Sequence, residues 1–284
     1  MKTRISPDAR PQATTLLIAA ALSIVLWFIP FAEFLTYPFR IFVTFIHEGG
    51  HAIAALLTGN SVASLSVAMN ASGETYTTQG GTWSQMFVAS AGYLGAMIYG
   101  ALLLILIRRA VAARLVLVGS AVLVFGLTLI FGLIKPLMSG VPGALTGVPF
   151  TLLAGVLLSV GLFAVARFTK PRVAMFFVSL LAVQCVLNAL LDLKTVFFLS
   201  SPFAPSVPTD AVNMANATGL PPLLWAVVWI GAAISILFVT MRFYTVRRNR
   251  SFQPDLALPT LPVIDLPRDL ITAGRGATVG NKEI

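Results

Sequence analysis

Apolar runs of about 20 residues recur along this chain, and a helix of that length crosses the hydrocarbon core of a bilayer. Inside lipid no water is available to satisfy an exposed N–H or C=O, so such runs must fold as helices. Seven candidate spans are read from them: 14–35, 38–57, 83–107, 111–134, 145–166, 173–199 and 223–244. With 57% hydrophobic and only 10% charged residues in 284, the chain lies far from a soluble average. The expected fold class is therefore all-α, a polytopic membrane bundle of about seven spans with the lipid bilayer as its first partner. A net charge of +9 would suit nucleic acid. The basic residues, however, gather at the ends of apolar runs and in the tail, where the positive-inside rule puts them, so no nucleic-acid partner is expected.

Residues 1–13 read as an N-terminal tail, 14–250 as the membrane domain and 251–284 as a disordered tail, in which Pro254, Pro259, Pro262 and Pro267 recur. Lys2, Arg4 and Arg10 before the first apolar run resemble a secretory signal. No clear small-residue cleavage site follows, so the run is read as an uncleaved span. Within the membrane domain, 60–81 is polar. It shows alternation at Val62, Leu65, Val67 and Met69 and a turn at Asn70-Ala-Ser-Gly73, which predicts a short β-hairpin. The stretch 200–222, rich in Pro, Ser and Asn, reads as a loop or short interfacial helix. Charge counting puts the C-terminal tail on the cytoplasmic side, while the basic N-terminal segment argues the reverse. A single cysteine, Cys185, excludes both an internal disulfide framework and a Cys-rich zinc site.

The chain has two histidines, His47 and His51, with Glu48 between them on an apolar run. At 3.6 residues per turn, positions i and i+4 share a helix face, so both imidazoles can grip one zinc ion. The glutamate beside them is placed to take a proton from an activated water. Buried ionisable groups in a membrane are costly, which makes each a functional candidate. A catalytic zinc site takes three protein ligands. Asp192, the one acid in a late span, is the expected third ligand, with Asn188 one turn earlier hydrogen-bonding the ligand or a substrate oxygen. Gly49 and Gly50 each cost up to about 1 kcal/mol in a helix. They either open space beside the metal for substrate or allow tight helix packing.

These motifs resemble peptidase family M50, the site-2 protease class of intramembrane zinc metalloproteases, and more narrowly its compact M50B-like branch. The resemblance rests on His47-Glu48-Gly49-Gly50-His51, the hairpin at Asn70-Ala-Ser-Gly73, the small-residue stretch Ser90-Ala-Gly-Tyr-Leu-Gly95 and Asn188-Ala-Leu-Leu-Asp192. It extends to the segment from Asp210 to Pro222, leading to Trp225 and Trp229. The resemblance implies zinc held by His47, His51 and Asp192, Glu48 as general base, and a transmembrane protein or peptide as substrate in a bacterial cell membrane. The family's hairpin asparagine falls on Asn70. Leu193 stands where better-known members carry glycine after the late ligand. Two other readings stand beside proteolysis. One is a non-proteolytic membrane scaffold or regulator. The other is a transporter using Glu48 and Asp192 as a relay, against which there is no internal repeat between the two halves. Oligomeric state is left open.

Overall fold

The apolar runs become helices, and α3 stands at their centre. The computed structural model describes residues 10–245, apart from 27, 30, 109–111, 142 and 204–206; the 251–284 tail lies outside the described residues. The order is α1 (Arg10–Leu26), α2 (Glu33–Leu57), β1 (Val62–Val67), β2 (Gly73–Thr77), α3 (Thr82–Arg108) and α4 (Ala113–Leu129). A π-helical turn (Ile130–Ile134) then leads into α5 (Lys135–Ser139), followed by α6 (Val148–Phe168), α7 (Pro171–Leu199), α8 (Asp210–Thr218) and α9 (Pro222–Thr245). Helix α3 packs against α2, α7, α8 and α9, while α4 packs on α6 and α1 on α7.

Among the described residues, five helical segments are long and apolar enough to cross a membrane: α3, the continuous α4-to-α5 segment, α6, α7 and most of α9. Seven spans were expected, and the other two differ for physical reasons. Helix α1 is 17 residues long and stops at Leu26. Helix α2 carries Glu33, Arg40 and Glu48 within its apolar run. The outward faces of the long helices are greasy. Leu153, Leu157, Val160 and Phe163 on α6, and Val227, Ile234 and Phe238 on α9, are exposed. That is the surface lipid requires, and these are the features of an integral membrane protein.

The hairpin forms where alternation placed it. β1 and β2 pair antiparallel, with Leu65 opposite Thr75 and Val67 opposite Gly73. Val62, Leu65 and Val67 are each 1% exposed, so β1 is a core strand. It packs on α2, α5, α6 and the π turn, whereas β2 meets α2 and β1. Three helix side chains hold the hairpin by its backbone. Tyr37 Oη donates to the Met69 carbonyl at 2.7 Å, and Thr44 Oγ1 donates to the Ala71 carbonyl at 2.8 Å. The Val67 N–H donates to Thr151 Oγ1 at 2.9 Å. Asn70 shapes the turn itself. Its Oδ1 accepts from Ser72 N–H at 3.0 Å and Ser72 Oγ at 2.7 Å, beside Ala71 at a left-handed φ of 64°.

Candidate metal and catalytic centre

One turn of α2 presents His47, Glu48 and His51 to a polar cavity of about 760 Å³. The two imidazoles point the same way, with their Nε2 atoms 3.1 Å apart. The third member comes from a different part of the chain. Asp210, the first residue of α8, sets its Oδ2 3.5 Å from His47 Nε2 and 3.4 Å from His51 Nε2. His47, His51 and Asp210 are the group of potential metal ligands that the described residues bring together. Four ligands around zinc at about 2.0–2.1 Å stand at tetrahedral corners about 3.3 Å apart. The three observed edges match one face of that tetrahedron, and the donor set of two imidazoles and a carboxylate is one that catalytic zinc uses.

The protonation pattern suits the same geometry. His51 Nδ1 lies 2.7 Å from the Val88 carbonyl oxygen, which can only accept. Nδ1 therefore carries the proton, and in the neutral ring Nε2 turns its lone pair toward Asp210. Such a bond through the far ring nitrogen is how proteins orient metal-binding histidines. Burial opposes ionisation of Asp210, but positive charge on the two adjacent imidazoles outweighs it and holds its carboxyl below the usual carboxylate range, a charge that a bound cation would supply instead. Thr209 caps α8, its Oγ1 accepting from Val212 N–H at 3.3 Å, and Gly219 closes the helix at a left-handed φ of 73°. The aspartate is thus mounted on a capped helix, which fixes its approach.

Gly92 leaves open the space beside both imidazoles. A Cβ at this position of α3 would overlap the Nε2 atoms of both histidines. Gly92→Ala is expected to weaken metal binding by about 10–100-fold, the scale on which outer-shell changes act. Competition with a chelating indicator measures this, and unchanged affinity would show that no ion occupies the space above Gly92. Next to Gly92, the Tyr93 ring meets His47 edge-on at 4.6 Å between centroids and packs on Trp229 at 5.6 Å. Trp229 Nε1 in turn donates to Ser90 Oγ at 3.0 Å. The small-residue stretch of α3, the Asp210 segment and the tryptophan of α9 therefore meet at one place.

Glu48 is 5% exposed and accepts a hydrogen bond at Oε2 from Thr75 Oγ1, 2.7 Å away. It lines the same cavity as the three ligand-type residues. Asp192, expected as third ligand, is not in their group; the structure sets Asp210 there instead. Asp192 opens into a second cavity of about 310 Å³ with Arg40, Asn188 and Thr195. His47, Glu48, Gly73 and Tyr93 line both cavities, so the centre sits where the two meet. The Asn188 amide is spent on its own helix, donating to the Gln184 carbonyl at 2.8 Å and to Gln184 Oε1 at 3.0 Å.

Gly49 and Gly50 line an apolar cavity of about 410 Å³ that none of the three ligand-type residues lines, and both also sit at close helix contacts. A side chain on Gly49 would meet Leu127 of α4, and one on Gly50 would meet the Ala91 carbonyl of α3. Asn70 lines neither cavity and serves the hairpin turn. Cys185 is buried, where a Cβ on Gly100 of α3 would touch it, and lines neither cavity.

Sequence reasoning missed Asp210 as a partner of the histidines. A signal for it was present: Thr209 followed by an acid, then a helical stretch ending in Gly219, is a capped helix with a carboxylate in its first turn. Gly92 carried no signal of its own, because its importance arises only from the approach of α3 to α2.

No curated relative and no solved structure matches the chain. The family model described as Peptidase M50B-like matches residues 15–240, which include every element that builds the centre, and the chain belongs to that family.

Proposed function

We propose that the protein is an intramembrane zinc metalloprotease, with His47, His51 and Asp210 holding the ion and Glu48 as the general base. The observation that carries this reading is the triangle of ligand atoms, 3.1, 3.4 and 3.5 Å on its edges, beside a buried glutamate in a polar cavity. A zinc ion so held supplies Lewis acidity, which makes water acidic near neutrality and polarises a carbonyl. Glu48 receives the proton of the attacking water and passes it to the leaving amine. Asp210 and the histidines stay fixed throughout. The Val88 carbonyl keeps the His51 ring in its orientation.

A membrane substrate must unwind to be cut, because a helix hides its carbonyls in its own hydrogen bonds. Strand β2 offers an extended partner. Its residues from Gly73 to Thr77 line the cavity, and a peptide strand pairing along its free edge would pass Glu48. The cavity carrying Arg40, Asn188 and Asp192 would receive the part of the peptide beyond the scissile bond. In this reading Asp192 contacts substrate and is not a ligand.

The test is cleavage of a membrane-spanning reporter by the purified full-length protein in liposomes, with zinc measured in the same sample. One zinc per chain is expected. A chelator should bring cleavage to the uncatalysed baseline, and zinc should restore it. Stoichiometric zinc without cleavage of a range of reporters would favour the scaffold reading.

A further inference from the structure

Strand β2 turns one face toward α2, and two residues on that face, Gly73 and Thr75, both meet Glu48. Gly73 and Thr75 are two apart, so they point the same way from the strand. Thr75 Oγ1 lies 2.7 Å from Glu48 Oε2 and 3.3 Å from the Glu48 backbone carbonyl. A hydroxyl has one proton to give, and the shorter contact takes it. At Gly73 a Cβ would stand 2.5 Å from both Oε1 and Cγ of Glu48. One carboxylate oxygen is therefore hydrogen-bonded by the strand. The other lies where a side chain on Gly73 would have to be.

The donor is held as firmly as the acceptor. Tyr37 and Thr44 of α2 bind the carbonyls of Met69 and Ala71, on the loop that leads into β2. Thr151 of α6 holds Val67, the residue paired with Gly73. A surface threonine could swing away. This one stands on a strand tied at three points around it. A glutamate has three side-chain torsions, and a general base works only within hydrogen-bond reach of its proton. Fixing one oxygen removes most of that freedom before substrate arrives.

We propose that Thr75 is a positioning residue for Glu48. It engages Oε2 and leaves Oε1 to receive the proton, and Gly73 is the space that this pose requires. The inference deepens the protease reading of the preceding subsection and rests on it. It also makes β2 a double-sided element, with one face ordering the base and the free edge offered to substrate.

The experiment uses full-length protein in liposomes with Thr75→Val, Thr75→Ser and Gly73→Ala. Thr75→Val keeps the shape and removes the hydroxyl. It should lower kcat by about 10–100-fold, with KM and zinc content unchanged. Thr75→Ser should recover kcat to within about threefold of wild type, and Gly73→Ala should lower kcat with Thr75 intact. A merely structural threonine would not give a kcat-only loss that the serine hydroxyl repairs. Equal kcat in wild type and Thr75→Val overturns the proposal.

A second measurement needs no cleavage. Unfolding by denaturing detergent is compared for wild type, Thr75→Val, Glu48→Ala and the double variant. Loss of the hydroxyl should shift the folded-to-unfolded ratio about tenfold more when Glu48 is present than when it is absent. Additive effects overturn the positioning of Glu48 by Thr75. If the wild type cleaves no faster than Glu48→Gln, the protease reading fails, and this cycle still decides whether the strand orders the glutamate.

Discussion

Asp210→Ala is expected to strip the protein of zinc, and Asp192→Ala to leave it bound. The first change removes one of three ligand atoms that stand within 4.8 Å of one another. Two imidazoles then remain, and such a pair binds far more weakly than a closed set of three. Affinity should fall by roughly 10³-fold or more, beyond the roughly 10–100-fold that loss of an outer-shell partner costs. Asp192 lies in the neighbouring cavity on α7, and its removal leaves the triangle of His47, His51 and Asp210 atoms intact. Metal analysis of the two purified variants beside wild type decides this, with a chelator competition to rank affinities. Zinc kept by Asp210→Ala and lost by Asp192→Ala would return the third ligand to α7.

The second large effect is on turnover with the metal in place. Glu48→Gln preserves the length of the side chain and an oxygen that can still accept from Thr75, but it cannot take up a proton near neutral pH. kcat is expected to fall by about 10²–10⁴-fold, the usual contribution of a positioned general base, with zinc content and KM little changed. Fold and coordination should survive, because Glu48 is not among the ligand-type atoms that converge on the site. A Glu48→Gln protein that cuts the reporter at the wild-type rate would assign proton transfer to another group.

Much of this architecture is legible in the residues. A long apolar run in lipid satisfies its own backbone as a helix, so the helices could be read from the residues, though not how many of them are long and apolar enough to span. The hairpin was visible in the alternation around Val62, Leu65 and Val67 and in the turn at Asn70. The histidine pair follows from helix period alone. The third partner of the histidines did not follow. Reasoning from the cost of charge in lipid favours the acid inside an apolar run, which is Asp192, and discounts one in a polar stretch. Asp210 pays no such cost in the sequence. It becomes half-buried because α8 packs onto α3 and α9. The two glycines beside the histidines left two readings open, since a one-dimensional reading cannot tell which helix face meets a neighbour. Gly49 and Gly50 face α4 and α3, and the glycine that matters to the imidazoles is Gly92, on another element.

That the carboxylate arrives on α8 bears on how the site is assembled. A nascent chain that has emerged through α7 already owns both imidazoles and the glutamate, yet the triangle of ligand-type atoms cannot form until translation has passed residue 210. Under the proposed protease reading, shorter fragments would lack the third ligand, and the docking of α8 would arm the site.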